Sequence, residues 1–217
     1  CHRELIMKKI KMEELKDRFD QAISILGDPK QKDPSIWEQI LNAYQDPRRV
    51  YHGLNHLQQM MAQIPVDSLS SDQEALITLA LFFHDLVLEP GRRDNEERSA
   101  DRADKVLSQL GISVPHRDRI RSMILSTRDH DPGDDDLAAI FCDLDLSILG
   151  VDPAAYLRYA QNVRKEYSLV PERIYRKERA KLIRSFLNRK RIFYSEYFRS
   201  LEGSARINLQ EELDRIT

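Results

Sequence analysis

The chain has 217 residues, of which 41% are hydrophobic, so it is long and apolar enough for one domain with a sizeable core. Its 34 basic and 36 acidic residues give a net charge of −2. Neither sign dominates enough to indicate a protein that binds nucleic acid or membranes through its overall charge. The two cysteines, Cys1 and Cys142, have no CxxC spacing, so neither a disulfide framework nor a thiolate zinc site is expected.

Location and partners follow from the same composition. The longest apolar run, residues 75–87, contains His84 and Asp85 and is shorter than the ~20 residues of a membrane-spanning helix. No secretory signal is visible. We therefore expect a cytoplasmic protein that binds neither membrane nor nucleic acid, and the sequence leaves open whether it is a monomer or a homodimer. Since the sequence does not open with methionine, we expect the natural start nearer Met7 and a non-native leader over residues 1–6.

Helices are predicted throughout, because glycine is scarce and no stretch alternates β-branched or aromatic residues as a strand does. The first spans residues 12–26 and stops at Gly27-Asp28-Pro29, and the second starts at a Ser35 cap and stops at Asp46-Pro47. The later helices are predicted from Tyr51 or Leu54 to Ala62 and over residues 70–85, 96–110, 115–127, 137–149, 153–167 and 171–188, before a weakly patterned tail beyond Tyr194.

Two histidines open the third predicted helix. His52 and His56 are four residues apart, which on a helix is the same face about one turn apart. Such a pair can bind one ligand. Taken alone, the spacing is more typical of capping or surface histidines at the start of a helix.

The doublet His84-Asp85 ends the long apolar run. An ionised carboxylate is costly to bury unless a cation or strong hydrogen bonds compensate. A bound metal ion would compensate. The alternative is a helix that simply reaches the surface at residue 84.

Two further acids, Asp143 and Asp145, interrupt the apolar segment 138–149. Residues two apart on an α-helix point roughly 200° from each other, so at most one of them faces a metal directly. We expect the other to cap a neighbouring helix, to orient a ligand histidine or to reach solvent.

Together these segments predict a site with two imidazoles, from His56 and His84, and two carboxylates, from Asp85 and the Asp143/Asp145 pair. Without a thiolate, this set suits a divalent ion such as manganese, iron, cobalt, magnesium or zinc. Water bound to such an ion approaches a pKa of ~7, while the ion polarises a phosphoryl oxygen. The pattern therefore indicates hydrolytic chemistry.

The ordered H…HD…D pattern resembles the HD superfamily of metal-dependent phosphohydrolases, and in detail a bacterial group of predicted HD phosphohydrolases. The resemblance covers roughly residues 37 to 195. It implies a single HD-domain-like helical bundle, with an HD core at 51–150 between N-terminal helices at 7–50 and C-terminal helices at 151–217. The segments that carry it are Tyr51-His52-x-x-x-His56, Phe83-His84-Asp85, Asp94-Asn95-Glu96-Glu97-x-Ser99-Ala100, Thr127-x-x-His130, Asp143-x-Asp145-Leu146-Ser147, Tyr159-x-x-x-Val163-Arg164-x-Glu166-Tyr167 and Arg179-x-x-x-Leu182-x-x-Phe186.

A more distant resemblance to the cyclic-nucleotide phosphodiesterases implies a role for each position. By that likeness His56 is a metal ligand, His52 is the general acid that protonates the leaving oxygen, and Asp145 is favoured over Asp143 as the fourth ligand. Leu88 stands where those enzymes carry a later histidine, so the resemblance does not extend to a second metal or to cyclic-nucleotide cleavage.

Further residues of the matching segments are candidates for catalysis and substrate binding. Asn95 and Glu96 would position the attacking water or hold Asp85. His130 would supply a metal or phosphate contact, or else simply close its helix above an acidic turn. Tyr159, Arg164 and Tyr167 are expected to bind a phosphate group together. The alternative is that they lie on a solvated helix face.

The hypothesis is therefore metal-dependent hydrolysis of a phosphate ester, from a nucleotide or a small phosphorylated metabolite, by an activated water. The alternative is a regulatory module that binds a metal or nucleotide without turning it over.

Overall fold

Ten α-helices, joined by turns and three short 3₁₀ helices, make up the part of the chain that the structure describes. The structure is a computed structural model, and it describes residues 11–28, 30–31 and 33–217. No strand occurs within these ranges, so the all-α prediction is confirmed for them. The predicted leader over residues 1–6 lies outside the described residues.

The observed helix bounds follow the predicted ones closely. The second helix differs at its start, because Asp33 is its cap and accepts a hydrogen bond from the backbone N–H of Ser35, which lies inside the helix. In chain order the helices are α1 (Met12–Leu26), α2 (Pro34–Tyr44), α3 (Leu54–Ala62), α4 (Ser71–Phe83), α5 (Asn95–Gln109), α6 (Val114–Ser126), α7 (Asp136–Leu146), α8 (Pro153–Glu166), α9 (Glu172–Leu187) and α10 (Glu202–Ile216).

Helix α4 is the centre of the core. Ser70 and Gln73 form a capping box at its start, and every residue from Ala75 to Phe83 is buried. It packs on α1, α3, α5, α6 and α7. A helix that is apolar on all sides needs such neighbours on all sides. The core therefore fixes α4 firmly, and with it the position of His84 directly after its last residue.

The C-terminal helices are tied to the rest by buried polar contacts. The guanidinium of Arg179 donates two hydrogen bonds to the carboxylate of Glu212, at 2.8 and 3.0 Å. The side-chain amide of Asn208 donates to the carbonyls of Leu149 and Val151, both at 2.9 Å. Gly150 lies against Leu201 so closely that a Cβ there would be 2.5 Å from the Leu201 Cβ.

The described helices include none with the length and apolar character needed to cross a membrane.

Candidate metal centre

Three separate elements bring His56, His84 and Asp145 together. His56 lies in the first turn of α3, His84 follows the end of α4, and Asp145 is in the last turn of α7. One ligand atom from each lies within 4.8 Å of the others. The Nε2 atoms of the two histidines are 3.3 Å apart, and Asp145 Oδ1 is 3.1 Å from His56 Nε2. Both imidazoles are buried, at 2% and 1% exposure.

The His84 ring is oriented by the backbone of its own helix. Its Nδ1 lies 2.8 Å from the carbonyl oxygen of Leu81, which can only accept a hydrogen bond. Nδ1 therefore carries the proton, and in the neutral ring Nε2 keeps its lone pair for a ligand. This pattern is typical of a metal-binding histidine, whose second nitrogen donates to a carbonyl or carboxylate.

Asp85 lies beside this cluster, and its carboxylate is about as exposed as that of Asp145. Its Oδ2 is 3.3 Å from His84 Nε2, and its side chain is 18% exposed. It is not one of the three residues whose ligand atoms all lie within 4.8 Å of each other. The guanidinium of Arg49 fixes the backbone at this point, because it donates hydrogen bonds to the carbonyls of Asp85 and Leu86, at 2.6 and 3.1 Å.

The charged groups of the cluster shift one another's pKa values. Burial raises the pKa of Asp145 and of Asp85, but the neighbouring histidines outweigh it and lower both pKa values. Burial lowers the pKa of His84, but Asp85 outweighs it and raises that pKa to about 9. Burial dominates at His56, whose pKa is lowered. The two carboxylates therefore favour a positively charged neighbour in the cluster.

His130 contacts the same carboxylate from the other side. Its Nε2 is 2.9 Å from Asp145 Oδ2, and its φ of 47° lies in the left-handed region that costs about 1–2 kcal/mol for a side-chain-bearing residue. Arg189 donates to the carbonyl of His130 at 2.9 Å and also to that of Asp129. The structure thus brings His130 to a candidate metal ligand, where it orients Asp145.

His52 precedes α3 instead of lying on it, so the same-face argument for His52 and His56 was wrong, although their ring centroids are 5.6 Å apart. Its Nδ1 lies 2.6 Å from Glu166 Oε1, and Glu166 Oε2 accepts from the backbone N–H groups of Tyr51 and His52. Burial lowers the pKa of His52, but the hydrogen bond to Glu166 outweighs it, and the net shift is upward.

Glu166 was missing from the predicted site residues. The sequence contains a signal for it, because the buried residues Ala155, Tyr156 and Val163 recur at helical spacing and place Glu166 on the same inward face of α8. An acid on an apolar face needs a partner. That partner, His52, is 114 residues away in sequence.

Two of the three predicted clamp residues lie near the cluster. The ring of Tyr159 packs on that of Tyr51, with centroids 4.6 Å apart. Burial, with the carboxylates of Glu166, Asp85 and Glu96, raises the pKa of Tyr167 to about 12. The carboxylates of Asp85 and Glu96 therefore both act electrostatically on the Tyr167 hydroxyl.

Arg164 does not reach the cluster. Its guanidinium donates to Glu172 and to the carbonyls of Tyr167 and Val170, and it stacks over the ring of Tyr175. These contacts close the turn between α8 and α9. Arg164 is therefore removed from the predicted phosphate clamp, because its hydrogen-bond donors are used within the turn between α8 and α9.

Asn95 and Asp143 are likewise occupied elsewhere. The Asn95 carboxamide accepts from the backbone N–H of Glu89 and donates to its carbonyl, both at 3.1 Å, so it supports the segment after Asp85. The Asp143 carboxylate accepts from the backbone N–H groups of Tyr194 and Ser195. Asp143 is therefore removed from the candidate ligands, and its direction away from Asp145 is the one that helix geometry predicts.

Comparisons of the chain with protein-family models, with curated proteins and with solved structures give no match.

Proposed function

We propose that this chain is a metal-dependent phosphohydrolase of the HD type, with an HD-domain-like bundle, that cleaves a phosphate ester of a nucleotide or small metabolite. The observation that carries the proposal is the convergence of His56, His84 and Asp145 in a buried position, with His84 Nδ1 held by the Leu81 carbonyl so that Nε2 faces the cluster. The resemblance of the sequence to HD phosphohydrolases supports the same reaction.

The donor set fits a divalent metal ion. Within the described part of the chain, the polar contacts of the Asp145 carboxylate are with His56, His84 and His130, and none is with lysine or arginine. Two imidazoles and a carboxylate, with Asp85 alongside, suit manganese, iron, cobalt, magnesium or zinc. Such an ion supplies a Lewis acid for a phosphoryl oxygen and lowers the pKa of water to ~7.

The chain itself supplies the proton for the leaving group. Glu166 fixes His52 through Nδ1 and favours the imidazolium, and no described residue hydrogen-bonds its Nε2. His52 can therefore hold a proton on Nε2 and donate it to the departing alkoxide. This pair favours catalysis over the alternative of a binding module, because retention of a metal alone does not require a proton donor.

The test compares two aspartates of α7. We expect chelator-treated protein to be inactive towards phosphate esters and to regain activity with Mn²⁺, Co²⁺, Mg²⁺ or Zn²⁺. Asp145→Asn should lose the bound metal and at least ~100-fold in kcat/KM. The control Asp136→Asn, exposed at the start of the same helix, should keep both.

Metal content and phosphate release, measured on the same samples, decide the result. Full metal content and activity in Asp145→Asn would overturn the proposed centre. A nucleotide-dependent rise in melting temperature without any phosphate release would support the binding module instead.

A further inference from the structure

The turn between α2 and α3 contains two adjacent arginines that differ in their partners. Arg48 is exposed and forms an ion pair with Asp46. Arg49 is half-buried, and its hydrogen bonds within the described part of the chain go to backbone carbonyls, not to a carboxylate. A guanidinium that is partly removed from water needs acceptors for its N–H groups. The carbonyls that accept from Arg49 therefore indicate which parts of the chain it holds in place.

The guanidinium of Arg49 joins two segments of the proposed site. Its Nη1 donates to the carbonyl of Asp85 at 2.6 Å and, in a longer bond of 3.4 Å, to that of His52. Its Nη2 donates to the carbonyl of Leu86 at 3.1 Å. His52 lies just before α3, and Asp85 follows the His84 that ends α4. One planar group thus contacts the backbone of the proposed proton donor and the backbone next to a candidate metal ligand.

Both the arginine and the backbone of His52 are fixed by packing. The guanidinium lies over the ring of Tyr44, 5.1 Å from its centroid, and Tyr44 is buried. Gly53, which follows His52, lies so close to the turn that a Cβ there would be 3.1 Å from the carbonyl oxygens of Tyr44 and Arg49. Because the guanidinium also presents its donors in a fixed fork, Arg49 and His52 have little freedom to move relative to each other.

The separation that Arg49 controls matters for the proposed reaction. A general acid must lie within hydrogen-bond reach of the leaving oxygen, and a misplacement of about 1 Å can cost about 100-fold in rate. Glu166 fixes the His52 ring and the backbone N–H groups of Tyr51 and His52, but its hydrogen bonds among the described residues do not extend to Asp85. The contact between the two segments is made by Arg49.

We propose that Arg49 is a positioning residue that sets the distance between the proton donor His52 and the metal centre at His84 and Asp85. The inference rests on the proposed phosphohydrolase function and adds the residue that holds its two parts in register. Loss of the guanidinium should weaken metal binding, because the backbone of Asp85 loses its contact. It should also slow most strongly the reactions whose leaving group needs a proton, because His52 can then shift.

The experiment compares Arg49→Met with Arg48→Met, the matched control at the exposed neighbour. Calorimetric titration of metal-free protein with Mn²⁺ should give a dissociation constant about 10-fold higher in Arg49→Met than in the wild type. With saturating Mn²⁺, the ratio of kcat for p-nitrophenyl phosphate to kcat for ethyl phosphate should rise about 10-fold, because ethoxide depends on protonation far more than nitrophenolate does. Arg48→Met should keep the wild-type values of both quantities.

The ratio separates positioning from a role in folding, because a smaller amount of folded enzyme lowers both rates by the same factor. A wild-type ratio in Arg49→Met would overturn the proposal, even if metal binding were weaker. Should Arg49→Met not fold, Arg49→Lys, which keeps the charge and the alkyl stem but lacks the fork, should shift the ratio in the same direction, and a wild-type ratio there would equally overturn the proposal.

Failure of the phosphohydrolase proposal is distinguishable from failure of this one. A wild type that hydrolyses neither ester with Mn²⁺, Co²⁺, Mg²⁺ or Zn²⁺ would count against the phosphohydrolase. In that case equal Mn²⁺ dissociation constants in the wild type and Arg49→Met would overturn the role of Arg49 as well.

Discussion

At the scale of single residues, the Glu166 carboxylate has two separate tasks. One oxygen binds the imidazole of His52, and the other accepts from the backbone N–H groups of Tyr51 and His52. A carboxylate held at three points cannot rotate freely, so it fixes the ring as well as its charge. Glu166 is thus a positioning residue for the proposed general acid.

Glu166→Gln should change the pH dependence of the reaction. In the wild type the carboxylate raises the pKa of His52, so the protonated acid persists to higher pH. Its loss lowers that pKa, and the alkaline limb of kcat/KM should move to lower pH. We expect about a 10-fold loss for an alkyl phosphate and a smaller loss for p-nitrophenyl phosphate, whose leaving group needs less protonation.

The control for this variant is Glu178→Gln, at an exposed position of α9. It should keep the wild-type pH profile for both esters. An alkaline limb that stays in place in Glu166→Gln would contradict the role of Glu166, whatever happens to the absolute rate.

The sequence identifies members of the candidate cluster where a charge interrupts an apolar run. His84 and Asp145 stand out for that reason, and the structure brings them together with His56. The same signal marks Asp143, yet its partners are backbone groups about fifty residues later in the chain. Local spacing predicts that the two acids diverge, but only the tertiary fold shows which one meets the histidines.

At the scale of elements, the segment after α4 is held by side chains of α5. Ser99 Oγ accepts from the backbone N–H of Val87 and donates to its carbonyl, and Asn95 makes the same pair of contacts with Glu89. These bonds replace the backbone partners that an irregular segment lacks. They keep Asp85, at the start of that segment, in a fixed position beside His84.

Asn95→Ala should therefore weaken both the fold and the centre. Loss of the two contacts with Glu89 should reduce the free energy of unfolding by about 1–3 kcal/mol. The metal dissociation constant should rise about 10-fold or more, as for other residues that support a metal ligand. Thermal unfolding and metal titration measure the two effects.

Arg93→Ala, in the same segment and exposed, is the control and should leave both quantities near the wild-type values. A wild-type metal affinity in Asn95→Ala, together with a lowered melting temperature, would show that the segment supports the fold but not the centre.

Helix α10 is not predicted from the sequence, because it falls in the weakly patterned tail beyond Tyr194. Its inward residues include Asn208 and Glu212 beside Ala205, Leu209 and Leu213, so its apolar periodicity is weak. The partners that make these polar residues acceptable, Arg179 and the carbonyls of Leu149 and Val151, come from distant parts of the chain. By contrast, α1 has five apolar inward residues, and its bounds were predicted correctly.

At the scale of the whole molecule, a buried polar network connects the C-terminal helices to the proposed site. Arg179 of α9 binds Glu212 of α10 in a bidentate pair, and Tyr156 of α8 donates to the same carboxylate. Arg179 also donates to Tyr159 Oη at 3.3 Å, and the Tyr159 ring packs on Tyr51 next to His52. Helices α8, α9 and α10 thus meet at the buried Arg179–Glu212 ion pair behind the proposed metal centre.

The final prediction concerns the buried pair itself. Glu212→Gln leaves the charge of Arg179 without its partner, which should cost about 3–5 kcal/mol of the free energy of unfolding. Burial raises the pKa of Glu212, but Arg179 outweighs it and the net pKa is lowered. In the wild type this stabilisation is therefore present above the unfolded pKa of about 4.3 and is lost as the pH falls through the folded value. Stability of the variant should vary less over that acidic range.

Denaturant unfolding between pH 3 and 7 measures both effects, with Glu178→Gln, at an exposed position of α9, as the control that should shift little. The double variant Arg179→Met/Glu212→Leu removes both charges and should recover most of the lost stability, because the penalty of Glu212→Gln comes from one unpaired buried charge. If the double variant were as unstable as the single one, packing and the tyrosine contacts, not the charge, would hold these helices together.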